Sequence, residues 1–342
     1  MTDLRVPHHN EPAASDSPML PNPRGELSAL VLGMLREELP AGSALLDLAG
    51  VDPYGDDLQV ALHLCYELHY HGYAGVSAEW EWAPELLRVR ASLERHFLDA
   101  LRREVTGGAD VDDEMGELLA PSDGGGVGDY LRDEGGWTQV LEYFVHRSMY
   151  HHKEADPYVW AIPRLSGQAK ASLVAVEFDE FGGGHAERVH ARLYADLLHA
   201  AGLDDGYLHY FDSVPAPMLA IVNMMSLFGL HRNLRGALVG HFATVEITSP
   251  PASRQLVEIL EKFGAAPECI RFYTEHVEAD AVHEQVMRRD VIADMLAREP
   301  ELAESMVLGI QVTNLLEDRL ASHLLESWQS GLSSLLTPLA VG

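Results

Sequence analysis

Cysteine is almost missing from this sequence: Cys65 and Cys269 are the only two in 342 residues. Two thiols so far apart build no disulfide framework and fit a reducing compartment, so a cytoplasmic location is expected. Lysine is scarcer still in proportion, with Lys153, Lys170 and Lys262 the only three and Arg the main cation. Positive charge is therefore short, and the formal net charge is -29. A surface this acidic repels phosphate backbones, which argues against nucleic acid as a partner. No stretch approaches the roughly 18 consecutive apolar residues of a membrane span, and Met1–Arg24 lacks the apolar core of a signal peptide, so no membrane partner is expected. Strand signals are few. No Gly-rich phosphate loop follows a strand, and no internal repeat appears.

What is present is helical periodicity. Residues 1–24, rich in Pro, Asn, Asp, Ser and His, read as a disordered arm. Residues 25–336 read as a single all-α domain. Helical patterns are expected over 25–38, 56–70, 85–105, 137–153, 168–181, 186–200, 215–227 and 252–263. A helix over 267–289, a short one over 291–299 and a long final one over 300–336 follow. The stretch at about 106–136 is acidic and Gly-rich and reads as an irregular insertion with a short helix near 112–119. Pro250-Pro251 reads as a stop after the apolar run 233–247. Glu67 lies inside the apolar and aromatic run Cys65-Tyr66-Glu67-Leu68-His69-Tyr70 and needs a buried partner there, best a Tyr or His hydrogen bond.

The segment His276-Val277-Glu278-Ala279-Asp280-Ala281-Val282-His283 carries the chemistry. His276, Asp280 and His283 are spaced four and then three residues apart, which puts them on one helix face. Two imidazoles and a carboxylate on one stripe can converge on iron, manganese or zinc. The alternative is a solvated polar face. Glu180 and His190 flank Gly182-Gly183-Gly184. Ten residues of unbroken helix would separate them by about 15 Å, but the glycines let a helix end, swing and restart so that both reach one ion. Glu154, at a helix end before Pro157, is a third candidate.

Lys153-Glu154-Ala155-Asp156-Pro157, then Trp160-Ala161-Ile162-Pro163-Arg164-Leu165, then Glu180-Phe181-Gly182-Gly183-Gly184 with His190, resemble the iron-containing oxidases of haem-oxygenase-like fold. The resemblance extends over about residues 58–330. It implies an all-α, haem-oxygenase-like helical bundle whose metal ligands are Glu154, Glu180, His190, His276, Asp280 and His283. It further implies two Fe(II) ions per chain, O2 as co-substrate and an external reductant. The implied activity is oxidation of a small-molecule substrate, an amine, amino acid or fatty acid, by N-oxygenation, desaturation, ring closure or C–C cleavage. Family members are often dimers, so a homodimer is compatible with it. The resemblance does not account for the 106–136 insertion.

Two alternatives stay open on the sequence. Glu187-x-x-His190 has the Glu-x-x-His spacing of ferritin-like bundles, which would put Glu187 in place of Glu180 but leave His276 and the glycines without a role. A haem- or iron-binding helical protein would use His63 or His69 as an axial ligand and leave the later set unused.

Overall fold

The structure, a computed structural model, describes residues 17–38, 47–120 and 124–339. Among these residues the regular structure is helical throughout, with no strand. The helices are α1 (Glu26–Leu35), α2 (Asp56–Glu67), α3 (Pro84–Glu104), α4 (Val111–Leu118), α5 (Val127–Asp133), α6 (Trp137–His151) and α7 (Asp156–Val159), followed by α8 (Gly167–Glu180), α9 (His190–Ala200), α10 (Ala216–Leu230), α11 (Arg235–Phe263), α12 (Pro267–Val286), α13 (Ala293–Arg298) and α14 (Ala303–Gln329). A π-helical stretch, Met287–Ile292, joins α12 to α13.

The centre of the bundle is α11, packed most extensively on α12 and α14. Glycines let α11 and α14 meet backbone to backbone. A Cβ added at Gly240 would stand 2.2 Å from the Met306 carbonyl oxygen, and one at Gly309 would stand 2.0 Å from that of Ala237. At the far end, Gly264 closes α11 in the left-handed conformation (φ 66°) and Pro267 opens α12 at its first turn. That pairing of stop and start signals folds α12 back along α11 as a hairpin.

Pro250-Pro251 does not stop the helix. α11 runs through both prolines, although each removes a ladder hydrogen bond at a cost of about 3 kcal/mol. Burial of Leu238, Val239, Phe242 and Ile247 before the prolines and Leu256, Ile259 and Leu260 after them outweighs that local preference, since most helical stability comes from packing. Other boundaries differ less. α9 starts at His190, with only a short 3-10 turn over Ala186–Arg188 before it. The 106–136 stretch holds two short helices, α4 and α5, with Val111, Met115 and Leu131 buried. Of the arm expected over 1–24, residues 1–16 lie outside the described residues. Residues 17–24 lie against the bundle: the Ala74 amide donates to the Pro18 carbonyl, and Arg24 donates to Asp56 and to the carbonyls of Phe211 and Val214.

Glu67 is fully buried on α2. It accepts from the Tyr207 hydroxyl at 2.9 Å and from Lys153 Nζ at 3.0 Å, so the expected Tyr partner is present and an ammonium joins it.

Candidate metal centre

Each helix end that matters here has a local cause. α6 ends at His151, and Glu154 stands in the short turn before Pro157, where a proline at the first turn of α7 restarts the chain. α8 ends at Glu180, and Gly182, Gly183 and Gly184 follow with φ of 77°, 61° and 85°. Only glycine holds three successive left-handed residues without strain. Gly182 is also crowded: a Cβ there would lie 2.7 Å from the Val189 amide nitrogen. The chain turns so tightly that the last residue of α8 and the first of α9 face each other, with His190 Nδ1 2.7 Å from Glu180 Oε2. α12 contributes His276, Asp280 and His283 from one face, all three buried.

All six expected residues come together. Their donor atoms form overlapping groups in which every pair lies within 4.8 Å: His151, Glu154 and His276; Glu154, Glu180 and His190; Glu180, Glu246, Asp280 and His283. Glu180 is common to the second and third, Glu154 to the first and second. Three further residues were not read from the sequence. His151, three residues before Glu154, places Nδ1 3.1 Å from Glu154 Oε2; its helical spacing was a usable signal. Glu246 comes from α11 and had none. Glu177, one turn before Glu180, is buried with both carboxyl oxygens unpartnered.

The histidines are oriented from behind. His276 Nδ1 donates to the Phe272 carbonyl at 2.7 Å, leaving Nε2 facing Glu154 at 3.5 Å. His283 Nε2 donates to Asp179 Oδ2 at 3.4 Å, leaving Nδ1 3.4 Å from both Glu180 Oε1 and Glu246 Oε2. Such a donor bond to a carbonyl or carboxylate is how metal-binding imidazoles are fixed. The inward-facing atoms, however, are orphans: His190 Nδ1, His276 Nε2, His283 Nδ1 and Glu246 Oε2 are buried and form no hydrogen bond. His190 Nδ1 and Glu180 Oε2 are close but not aligned to share a proton. Each orphan costs about 1–3 kcal/mol. Donor atoms that converge on common points without hydrogen-bonding one another fit a metal ion that would displace their protons, and the mix of imidazole and carboxylate suits iron or manganese.

Without metal, protons hold the site together. Burial disfavours the charged imidazoles, yet Glu154 raises the pKa of His276 to about 10, and Glu180 and Glu246 raise that of His283 to about 11. Burial likewise opposes ionisation of Glu154 and Glu180, but His151 and His276 hold the first well below the carboxylate range, and His190 and His283 hold the second at about 2. The surplus acids go the other way. Burial, then the charge of Asp280, pushes Glu246 well up; burial, then Glu180, does so for Glu177.

A family of iron-containing redox enzymes matches residues 141–318, just over half the chain and all of these groups. The chain belongs to that family. As an iron-containing redox enzyme it has the haem-oxygenase-like, all-helical fold, and oxidoreductase chemistry on iron is its general activity. No curated protein matches it. In this family member Glu187 stands apart from the groups: its side chain is 74% exposed and lies 3.7 Å from the exposed His185. The axial-ligand alternative finds His63 enclosed against Phe211, with its Nδ1 3.3 Å from the Tyr73 hydroxyl, and His69 engaged by Glu81 and Arg90. Among the described residues no helix is long and apolar enough to cross a membrane.

Proposed function

We propose that this iron-containing redox enzyme binds two Fe(II) ions through Glu154, Glu180, His190, His276, Asp280 and His283, and uses O2 to oxidise a small amine, amino acid or fatty-acid-like molecule. The observation that carries the reading is the shared carboxylate: Glu180 belongs to one group with His190 and to another with His283. A carboxylate common to two clusters could serve an ion in each. Bound ferrous iron supplies the electrons and Lewis acidity that activate O2. The protein contributes the rest. Phe272 and Asp179 fix the ring orientations of His276 and His283, and the near-complete burial of the six side chains excludes bulk water, which strengthens every charge interaction at the centre. A donor set of imidazoles and carboxylates is of the kind that suits O2-activating ferrous iron. The substrate class follows from the family resemblance, and its products would be those of N-oxygenation or of C–H oxidation such as desaturation, cyclisation or C–C cleavage. An external reductant would supply the electrons that turnover needs.

The test is anaerobic addition of Fe(II) to metal-free protein, metal analysis after desalting, and then exposure to O2. Two irons per chain with stoichiometric O2 uptake support the reading. A single iron, or a Soret band on haem addition with no Fe(II)-dependent O2 uptake, defeats it.

A further inference from the structure

Tyr150, Tyr158, His241 and Thr313 form one hydrogen-bonded chain beside the metal centre, and all four side chains are buried. The Tyr150 hydroxyl lies 3.1 Å from that of Tyr158, the Tyr158 hydroxyl 3.0 Å from His241 Nε2, and His241 Nδ1 2.8 Å from Thr313 Oγ1. The glycine crossing of α11 and α14 sets this up, since His241 follows Gly240 and Thr313 stands one turn beyond Gly309. Tyr158 lies flat against Phe242, with ring centroids 3.9 Å apart. At the other end the Tyr150 ring is 5.0 Å from that of His151, whose Nδ1 is 3.1 Å from Glu154 Oε2.

The direction of the chain follows from its far end. The Thr313 hydroxyl donates to the Gly309 carbonyl at 2.7 Å, so its oxygen accepts from His241 Nδ1. A neutral imidazole with its proton on Nδ1 offers only a lone pair at Nε2, and burial keeps His241 neutral by lowering its pKa to about 4. Nε2 therefore accepts from the Tyr158 hydroxyl, and the Tyr158 oxygen accepts from Tyr150. Tyr158 thus aims its phenolic proton at a base within transfer distance. Tyr194, whose ring is 4.6 Å from that of His151, donates instead to the Phe144 carbonyl at 2.8 Å, and a carbonyl takes up no proton. A phenol gives up an electron readily only when its proton leaves with it. Of these three tyrosines, Tyr158 alone has a base as its partner. Satisfying buried hydroxyls would not in itself require one.

We propose that Tyr158 is a one-electron donor to the metal centre, with His241 as its proton acceptor. This rests on the iron-and-O2 reading above. Reduction of O2 to water takes four electrons. Two ferrous ions supply two, and a substrate oxidised by two electrons supplies the others. When no substrate is bound, the oxidant formed from iron and O2 takes one electron from Tyr158. The phenolic O–H bond breaks, its proton passes to His241 Nε2, and a neutral phenoxyl radical and an imidazolium result. One electron from the external reductant, with return of the proton, restores both residues. The centre is thereby discharged through a side chain that can be restored rather than through its own ligands.

The experiment loads full-length protein with Fe(II) anaerobically, mixes it with O2 in the absence of substrate and reductant, and freezes samples over a time course for EPR. Iron content, O2 uptake and helical circular dichroism are measured on the same preparations. Wild-type protein develops a phenoxyl signal. Tyr158→Phe, which removes only a hydroxyl, binds iron and consumes O2 but loses that signal. His241→Gln, which removes the base, slows its formation by at least about 100-fold, the lower end of what positioned proton transfer contributes. Tyr194→Phe and Tyr207→Phe leave it in place, although Tyr207 also donates to an acidic group, Glu67, at 2.9 Å. A signal that survives Tyr158→Phe, that disappears with Tyr194→Phe or Tyr207→Phe, or that never forms in wild-type protein that has bound iron and consumed O2, overturns the proposal. Wild-type protein that binds no iron or consumes no O2 defeats the iron-and-O2 reading and this proposal with it, and metal analysis and O2 uptake reveal that failure before any spectrum is recorded.

Discussion

Lys153 Nζ lies 3.0 Å from Glu67 Oε2, with both side chains buried, one residue along the chain from Glu154. The ammonium also sits 4.6 Å from the ring centre of Tyr70. The pair ties α2 to the turn that presents Glu154. Lys153→Met leaves a buried carboxylate short of its cation, and the loss of one partner of such a pair costs roughly 3–5 kcal/mol. The lower end is expected, because Tyr207 still donates to Glu67. Urea denaturation of the metal-free proteins measures this; a change below about 1 kcal/mol would mean that the pair contributes no more than an exposed one.

His276→Ala, Asp280→Ala and His283→Ala each remove a donor from the shared face of α12. Loss even of a residue that only orients a ligand costs about 10–100-fold in metal affinity or activity, so each variant should lose more than about 100-fold in Fe(II)-dependent O2 uptake while keeping its helical circular dichroism. Glu180→Gln belongs with them. Glu187→Gln does not, since its side chain is mostly in solvent; iron content per chain should stay at the wild-type level there and fall in Glu180→Gln. The reverse order would return Glu187 to the centre.

The histidine shifts fix the sign of a pH dependence. His276 and His283 have folded pKa values of about 10 and about 11, raised from 6.5. Their charged forms stabilise the metal-free fold fully below 6.5, and this stabilisation is lost as pH climbs through those raised values. A metal ion must displace the same protons, so its binding runs the opposite way: affinity rises with pH across that window. One proton per site predicts about tenfold tighter Mn(II) binding for each pH unit between about 6.5 and about 9. A flat profile would show that the imidazoles are already neutral in the metal-free protein.

Metal binding should also order α12. The helix passes without a break into the π-helical stretch Met287–Ile292, a poorer backbone geometry that often accompanies function. Hydrogen exchange over residues 272–289 is expected to slow when Fe(II) is added anaerobically. Equal protection with and without metal would mean that Cys269, Phe272, Tyr273 and Met287 hold the helix through apolar contact alone.

What could be read from the sequence was whatever lies on one element or across one short turn. The stripe of α12 follows from helical spacing. The approach of His190 to Glu180 follows from three glycines. Glu154 had only the family resemblance, because nothing local ties it to α12. Glu246 was invisible for a physical reason: its neighbours in the centre lie on α8 and α12, and no spacing within α11 encodes a crossing between helices. The prolines misled in the same way. Their local preference is real, and the burial of α11 on both sides overrides it, but that burial is a property of the assembled bundle.

The close crossing of α11 and α14 makes the end of the chain a condition for finishing the bundle around its donor groups. Every candidate ligand has been synthesised once residue 283 is made. The surface against which Gly240 packs, at Met306, and the glycine that meets Ala237, Gly309, are made later. α11 carries two prolines in its middle and draws its stability from packing, of which α14 supplies a large share beside α12. A chain emerging from the ribosome therefore possesses all the donor groups before it possesses the site, which limits capture of the wrong ion by a half-made protein. A version ending before α14 should retain every ligand and yet bind Mn(II) no more tightly than an unfolded peptide of the same composition, and Gly309→Val in the full chain should move it in that direction.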